Sequence, residues 1–109
     1  MFEIIKNMFR KNYTDLDGKS FKEKFKSTKN AVLIDVRSAG EFAAGKIAGA
    51  KNIDIMSAGF TSKIEALGKD KVLFVYCRSG ARSGNACNTI SSIGLEAYNL
   101  QGGINSWQK

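Results

Sequence analysis

The stretch Val72-Leu73-Phe74-Val75-Tyr76-Cys77-Arg78-Ser79-Gly80-Ala81-Arg82-Ser83 changes character at Cys77. Before it, five consecutive apolar residues, mostly β-branched or aromatic, have the composition of a strand buried on both faces, as in a parallel sheet. After it, small and polar residues surround a glycine, and from Ser83 to Ile93 the apolar positions take helical spacing. A strand, a tight turn and a helix in that order gather backbone N–H groups and the positive end of a helix around one point, where an anion is favoured. Cys77 occupies that point. A thiolate there gains from the amides and from the guanidinium groups of Arg78 and Arg82, so its pKa is expected below the free value of about 8.5.

An inert core cysteine is the plainer alternative. It leaves two arginines and an all-small loop unexplained, whereas a nucleophile needs both charge compensation and room for its substrate. The spacing Cys-x4-Arg discriminates further. Cysteine enzymes that transfer phosphoryl groups resemble this arrangement but use Cys-x5-Arg, one residue longer, which widens the cradle for a tetrahedral phosphate. The shorter loop better fits one added sulfur atom.

Working outward, strands and helices alternate. Strands are expected near Tyr13 to Leu16, Ala31 to Asp35, Lys51 to Ile53, Val72 to Tyr76 and Ala97 to Asn99. Helices are expected near Lys19 to Ser27, Ala39 to Ala43, Ser57 to Leu67 and Arg82 to Ile93, with a last turn near Ile104 to Trp107. This order predicts an α/β fold, a mostly parallel central sheet of about five strands with helices on both faces. Gly68 and Gly94 fall where helices stop, Gly80 permits an unusual backbone angle in the cradle, and Gly84 permits close helix–sheet approach.

Three separate motifs make the chain resemble the rhodanese family of persulfide-forming sulfurtransferases. The first is the Cys77 loop. The second is Leu33-Ile34-Asp35-Val36-Arg37 with Glu41-Phe42, Gly45-Lys46-Ile47 and Gly49-Ala50-Lys51-Asn52-Ile53, and the third is Leu100-Gln101-Gly102-Gly103 with Trp107. The resemblance implies a rhodanese-like three-layer fold over residues 13–109 and leaves the N-terminal segment, residues 1–12, which reads as amphipathic, unaccounted for. It implies ping-pong transfer of a sulfane sulfur from thiosulfate or a related donor to a thiophilic acceptor such as cyanide or a thiol, through a Cys77 persulfide. Thioredoxin or another sulfur-relay protein is a possible acceptor. Alternatives are a persulfide carrier working with a partner protein and, further off, a phosphatase or arsenate reductase.

Composition is that of a soluble domain. The 109 residues are 43% hydrophobic and 25% charged. Two cysteines cannot make a disulfide framework, and no run approaches a membrane span. The first eleven residues mix charges into their apolar positions and lack a small-residue cleavage site, so a cytoplasmic protein is expected. The net charge of +7 is spread along the chain: residues 1–30 hold eight Lys/Arg against four Asp/Glu, and residues 31–109 hold nine against six. Neither nucleic acid nor a membrane is expected as a partner, and a monomer is the expected state. The positive surface instead concentrates a small anion such as thiosulfate. The stripe Phe2, Ile5, Met8 and Phe9, with Ile4 beside it, is expected to pack on the domain, with surface or partner docking as the alternative.

The substrate cradle is read as Arg78, Ser79, Gly80, Ala81, Arg82 and Ser83 around catalytic Cys77. Arg78 and Arg82 can hold the oxyanion end of the donor by paired hydrogen bonds, and Arg82 can equally be a structural anchor. Ser79 and Ser83 can donate to the sulfur or cap the helix, with capping the expected role of Ser83. Asp35, Arg37 and Glu41 are read as structural support, Arg37 pairing with Glu41 four residues on and Asp35 bonding nearby backbone. Lys46 stands where the family more often has histidine, and is taken as surface or structural. Cys87 is expected in the core, a resolving thiol being the alternative, and Trp107 is expected to pack first and to line the site second. The chain has no histidine, so imidazole acid–base or metal chemistry is excluded. No cofactor and no metal are expected. A low-pKa thiolate needs no partner base.

Overall fold

A computed structural model describes residues 12–107. Its elements are β1 (Thr14–Leu16), α1 (Gly18–Ser27), β2 (Ala31–Asp35), α2 (Ala39–Ala44), β3 (Lys51–Asn52), α3 (Phe60–Glu65), β4 (Val72–Tyr76), α4 (Ala81–Ser92), β5 (Glu96–Leu100) and a 3-10 turn (Ile104–Ser106). The five strands form one sheet in the order β1-β5-β4-β2-β3, every neighbouring pair parallel. β4 lies in the middle. Its register with β2 runs from Ala31 opposite Val72 to Asp35 opposite Tyr76, so the two longest apolar runs of the sequence shield one another.

Strand alternation sorts β4 between two cores. Leu73 and Val75, and Cys77 beyond them, face the side packed by Phe60 and Ile64 of α3 and by Ala86, Cys87 and Ile90 of α4. Phe74 and Tyr76 face the side packed by Phe21 and Phe25 of α1 and by Trp107. That second core is aromatic. The Phe21 and Phe25 rings meet Phe74 edge-on, each at a centroid distance of 5.4 Å, and Trp107 edge-on at 6.1 and 6.5 Å. Such pairs contribute about 0.5–1.5 kcal/mol each beyond the area they bury.

α3 is shorter than the helix expected from Ser57 to Leu67. Before it, Asp54 draws the chain into a turn by accepting from the Ser57 amide and hydroxyl, and Gly59 takes a left-handed conformation. Helical geometry begins only at Phe60. The amphipathic stripe of Phe2, Ile4, Ile5, Met8 and Phe9 lies outside the described residues. No helix among the described residues is long and apolar enough to cross a membrane.

Candidate active site

The parity of β4 aims Cys77 at the α4 side, and a three-residue turn then doubles the chain back into α4. Gly80 makes this possible with φ of 103°, a left-handed value that suits glycine. The helix therefore starts directly over the sulfur. Gly80 N–H lies 3.1 Å from Cys77 Sγ, Ser83 N–H 3.4 Å and the Ser83 hydroxyl 3.3 Å, all donating to it. Burial by itself raises the Cys77 thiol pKa. Hydrogen bonds from the Ser83 hydroxyl and from the Ser83, Gly80 and Ser79 amides outweigh it and bring the pKa below its ordinary value.

Ser83 thus bonds the sulfur, and the expectation that it caps the helix is corrected. The N-cap is Gly80, which has no side chain to offer, and Ser83 lies inside the first turn with its hydroxyl turned back toward Cys77. The Ser79 hydroxyl is a weak acceptor for the Ala81 amide at 3.5 Å. Arg78, Ser79 and Ala81 form the exposed rim of the loop, while Cys77 and Ser83 are buried beneath it.

The two arginines part company. Arg82 reaches back 41 residues to Glu41 and forms a two-pronged ion pair, with Nη1 2.8 Å from Oε1 and Nη2 3.0 Å from Oε2. Glu41 also accepts from the Ser38 amide and hydroxyl in a capping box at the start of α2. The Arg82 bonds first and those of Ser38 next hold its carboxyl down to about 2. The Arg37–Glu41 pair expected from the four-residue spacing is therefore corrected: Glu41 belongs to Arg82. Arg37 instead folds back on Asp35, its Nε and Nη2 donating to the carboxylate at 2.7 to 3.1 Å while its own amide donates to Oδ1 at 2.9 Å. Both residues are buried, and Arg37 precedes α2, so its side chain cannot follow the helix surface. Arg78 makes no ion pair or side-chain hydrogen bond with the described residues.

Several residues to which sequence reasoning gave no individual role hold this arrangement. Gly103 packs so tightly on the loop that a β-carbon there would lie 1.8 Å from the Arg78 carbonyl oxygen, and its φ is 78°. Its neighbour Ile104 donates its amide to Cys77 O at 2.9 Å. Asn99, buried at the end of β5, donates from Nδ2 to Gly80 O at 3.2 Å and to Asp15 at 2.9 Å. Asn52 donates to the carbonyls of Asp35 and Arg37, and the buried Tyr76 hydroxyl accepts from the Ile47 amide. Burial pushes the Tyr76 phenol up to about 12. Sequence reading placed Gly103, Ile47 and Asn52 inside motifs without giving them these contacts; Asn99 and Tyr76 sit inside strand patterns and gave no signal.

Cys87 lies in the core on α4, and burial pushes its thiol pKa well up. Trp107 packs on α1 and lines a separate groove with Lys46, and the Lys46 ammonium rests 4.8 Å from the Phe42 ring.

A buried thiol at the end of the central parallel strand, capped by the first turn of a helix and accepting three hydrogen bonds, is arranged to hold negative charge on its sulfur. The chain belongs to the rhodanese-like domain family, whose pattern matches residues 17–109. The Bacillus subtilis protein YtwF is 35% identical over 94 residues, 86% of this chain and 89% of that one. A protein of Allochromatium vinosum named sulfurtransferase is 31% identical over 96 residues, 87% of this chain and 88% of its own. The crystal structure of a rhodanese-related protein from Thermoplasma volcanium aligns with a TM-score of 0.75 at 33% identity, covering 87% of this chain and 90% of that one.

Proposed function

We propose that this protein is a sulfurtransferase that carries a sulfane sulfur on Cys77, loading it from thiosulfate or a related donor. Family membership and the sulfurtransferase relative support the activity in general. The observation that carries the specific reading is the set of three donors on Cys77 Sγ, in a loop with four residues between Cys77 and Arg82.

In the first half-reaction the Cys77 thiolate attacks the outer sulfur of thiosulfate. A new S–S bond forms, the donor's own S–S bond breaks, and its electron pair leaves with sulfite. The outer persulfide sulfur then carries the negative charge, and the amides of the loop are poised to stabilise it; preorganised donors of this kind are each worth about 10²–10³ in rate. With Arg82 bound to Glu41, Arg78 is the guanidinium available to the donor's sulfonate oxygens. In the second half-reaction a thiolate or cyanide attacks the outer sulfur, and Cys77 leaves as the thiolate. No net redox change occurs and no cofactor is needed.

Cys77 is fully buried, so a small donor reaches its sulfur only once the groups that cover it are displaced. This favours a second reading, a carrier that loads poorly from small anions and efficiently from a partner protein. Steady-state release of sulfite from thiosulfate in the presence of cyanide separates the two. Turnover that depends on Cys77 and falls in Arg78→Ala through a raised KM supports the enzyme reading. Loading only from a protein donor supports the carrier, and hydrolysis of an aryl phosphate instead would contradict both.

A further inference from the structure

We propose that Asn99 is a positioning residue for Cys77: anchored by Asp15, its side-chain amide holds the first turn of α4 against the sheet and so keeps the Gly80 and Ser83 donors on the sulfur. The proposal rests on the sulfur-transfer reading of Cys77 and names what keeps its nucleophile charged.

The sulfur and its donors belong to different elements. Cys77 follows directly on β4, whereas Gly80 and Ser83 stand at the N-cap and in the first turn of α4, and their donors lie 3.1 to 3.4 Å from Sγ. Those bonds last only while turn and sheet keep their spacing. β5 lies beside β4 with Asn99 opposite Val75, two residues before Cys77, so by strand alternation Asn99 faces the same side as the sulfur. From there its Nδ2 donates to the Gly80 carbonyl at 3.2 Å. The same carbonyl accepts from the Gly84 amide at 3.0 Å, the first bond of the helix. Asn99 therefore grips the turn at the residue that opens it. With φ of 103° and no side chain, Gly80 would otherwise swing easily.

The amide is held in one orientation. β1 lies on the far side of β5 with Asp15 opposite Asn99, and Asp15 Oδ1 accepts from Nδ2 at 2.9 Å, so both hydrogens of the amide are used. Turning the amide over would set its oxygen against two acceptors, the Gly80 carbonyl and the Asp15 carboxylate. The helix comes this close at Gly84, where a β-carbon would stand 3.2 Å from the Tyr13 hydroxyl oxygen and 3.6 Å from Asn99 Nδ2.

By packing alone Asn99 is an unfavourable choice for this strand. It is 4% exposed, and its Oδ1 has no hydrogen-bond partner among the described residues. A buried acceptor without a partner lowers stability, and an apolar side chain of similar size beside Val75 would avoid that loss. The donor half of the amide explains its presence. The same turn is tied separately by Arg82 to Glu41, an ion pair that substitution of Asn99 leaves in place.

Asn99→Leu removes the amide at similar volume. With folding checked by circular dichroism and thermal melting, Tm is expected to hold. The Cys77 pKa, read from the pH profile of iodoacetamide alkylation at the Cys77 peptide, is expected to rise by about half a unit to one unit. At a pH below both pKa values alkylation then slows roughly two- to threefold, the smaller thiolate fraction being offset in part by the greater nucleophilicity of a more basic sulfur. A merely structural role gives the reverse pattern, a lower Tm with the pKa in place. Asp15→Leu and Asp15→Asn remove the same charge, but only the second keeps an oxygen for the Asn99 amide. The Cys77 pKa is therefore expected to lie higher in Asp15→Leu than in Asp15→Asn, a comparison that stands even where Asn99→Leu does not fold. A Cys77 pKa unchanged in folded Asn99→Leu, or equal in the two Asp15 variants, overturns the proposal. Alkylation needs no sulfur donor, so its profile judges Asn99 independently. Failure of the unsubstituted protein to take sulfur from thiosulfate or a protein persulfide would instead sink the sulfur-transfer reading.

Discussion

The Ser83 hydroxyl donates to Cys77 Sγ at 3.3 Å from within the first turn of α4, six residues along the chain. It is the leading contribution that lowers the Cys77 pKa against burial, ahead of the amides of Ser83, Gly80 and Ser79. Ser83→Ala keeps both amide contacts and removes the hydroxyl. The Cys77 pKa is expected to rise, so that at neutral pH less thiolate is present. The pH profile of alkylation of Cys77 by iodoacetamide moves to higher pH, and a profile that stays in place would show that the hydroxyl is a bystander.

The Glu41–Arg82 ion pair predicts an acid-side stability difference. Glu41 is held at about 2 against an ordinary 4.5, so its folded pKa is depressed, and its contribution is present above the unfolded value and lost as pH falls toward about 2. Thermal melts of the unsubstituted protein and of Glu41→Gln are expected to differ at neutral pH and to converge across that window. A gap that persists unchanged at pH 2 would assign the effect to packing.

Asp35 and Arg37 are a different case, because both are buried and the carboxylate receives the guanidinium and a backbone amide together. Asp35→Ala leaves an uncompensated buried cation, for which about 3–5 kcal/mol of destabilisation is expected. Urea denaturation measures it. A loss below about 1 kcal/mol would place the pair in the range of an exposed ion pair.

Gly103 predicts a structural loss with a chemical consequence. An alanine there must adopt positive φ, which costs about 1–2 kcal/mol, and must push the Arg78 carbonyl away. A total loss of at least about 2 kcal/mol, roughly 10 °C in Tm, is expected, together with slower alkylation of Cys77 at neutral pH as its cradle opens. Wild-type alkylation in Gly103→Ala would separate the turn from the sulfur.

Much of this was readable in the residues, for identifiable reasons. β4 and β2 appear at their expected bounds because apolar, β-branched runs buried on both faces carry an unambiguous pattern. The left-handed Gly80 followed from the need to turn a strand into a helix within a few residues. The partner of Glu41 did not follow. Four-residue spacing favours Arg37 only when both residues lie on one helix, and the preference for Arg82 appears once β2 and β4 are neighbours. Ser83 was misread because capping is a local rule, while its real partner is set by where β4 ends. The links from Asn99 to Gly80 and from Tyr76 to Ile47 span 19 and 29 residues, and no local pattern encodes them.

The most direct test of the account is intact-protein mass spectrometry after incubation with thiosulfate and no acceptor. The account predicts a gain of one sulfur atom located on the Cys77 peptide, removed by cyanide or a thiol and absent in Cys77→Ser, with the buried Cys87 unmodified. No added sulfur on folded protein offered thiosulfate or a protein persulfide, or sulfur found on Cys87, would contradict it.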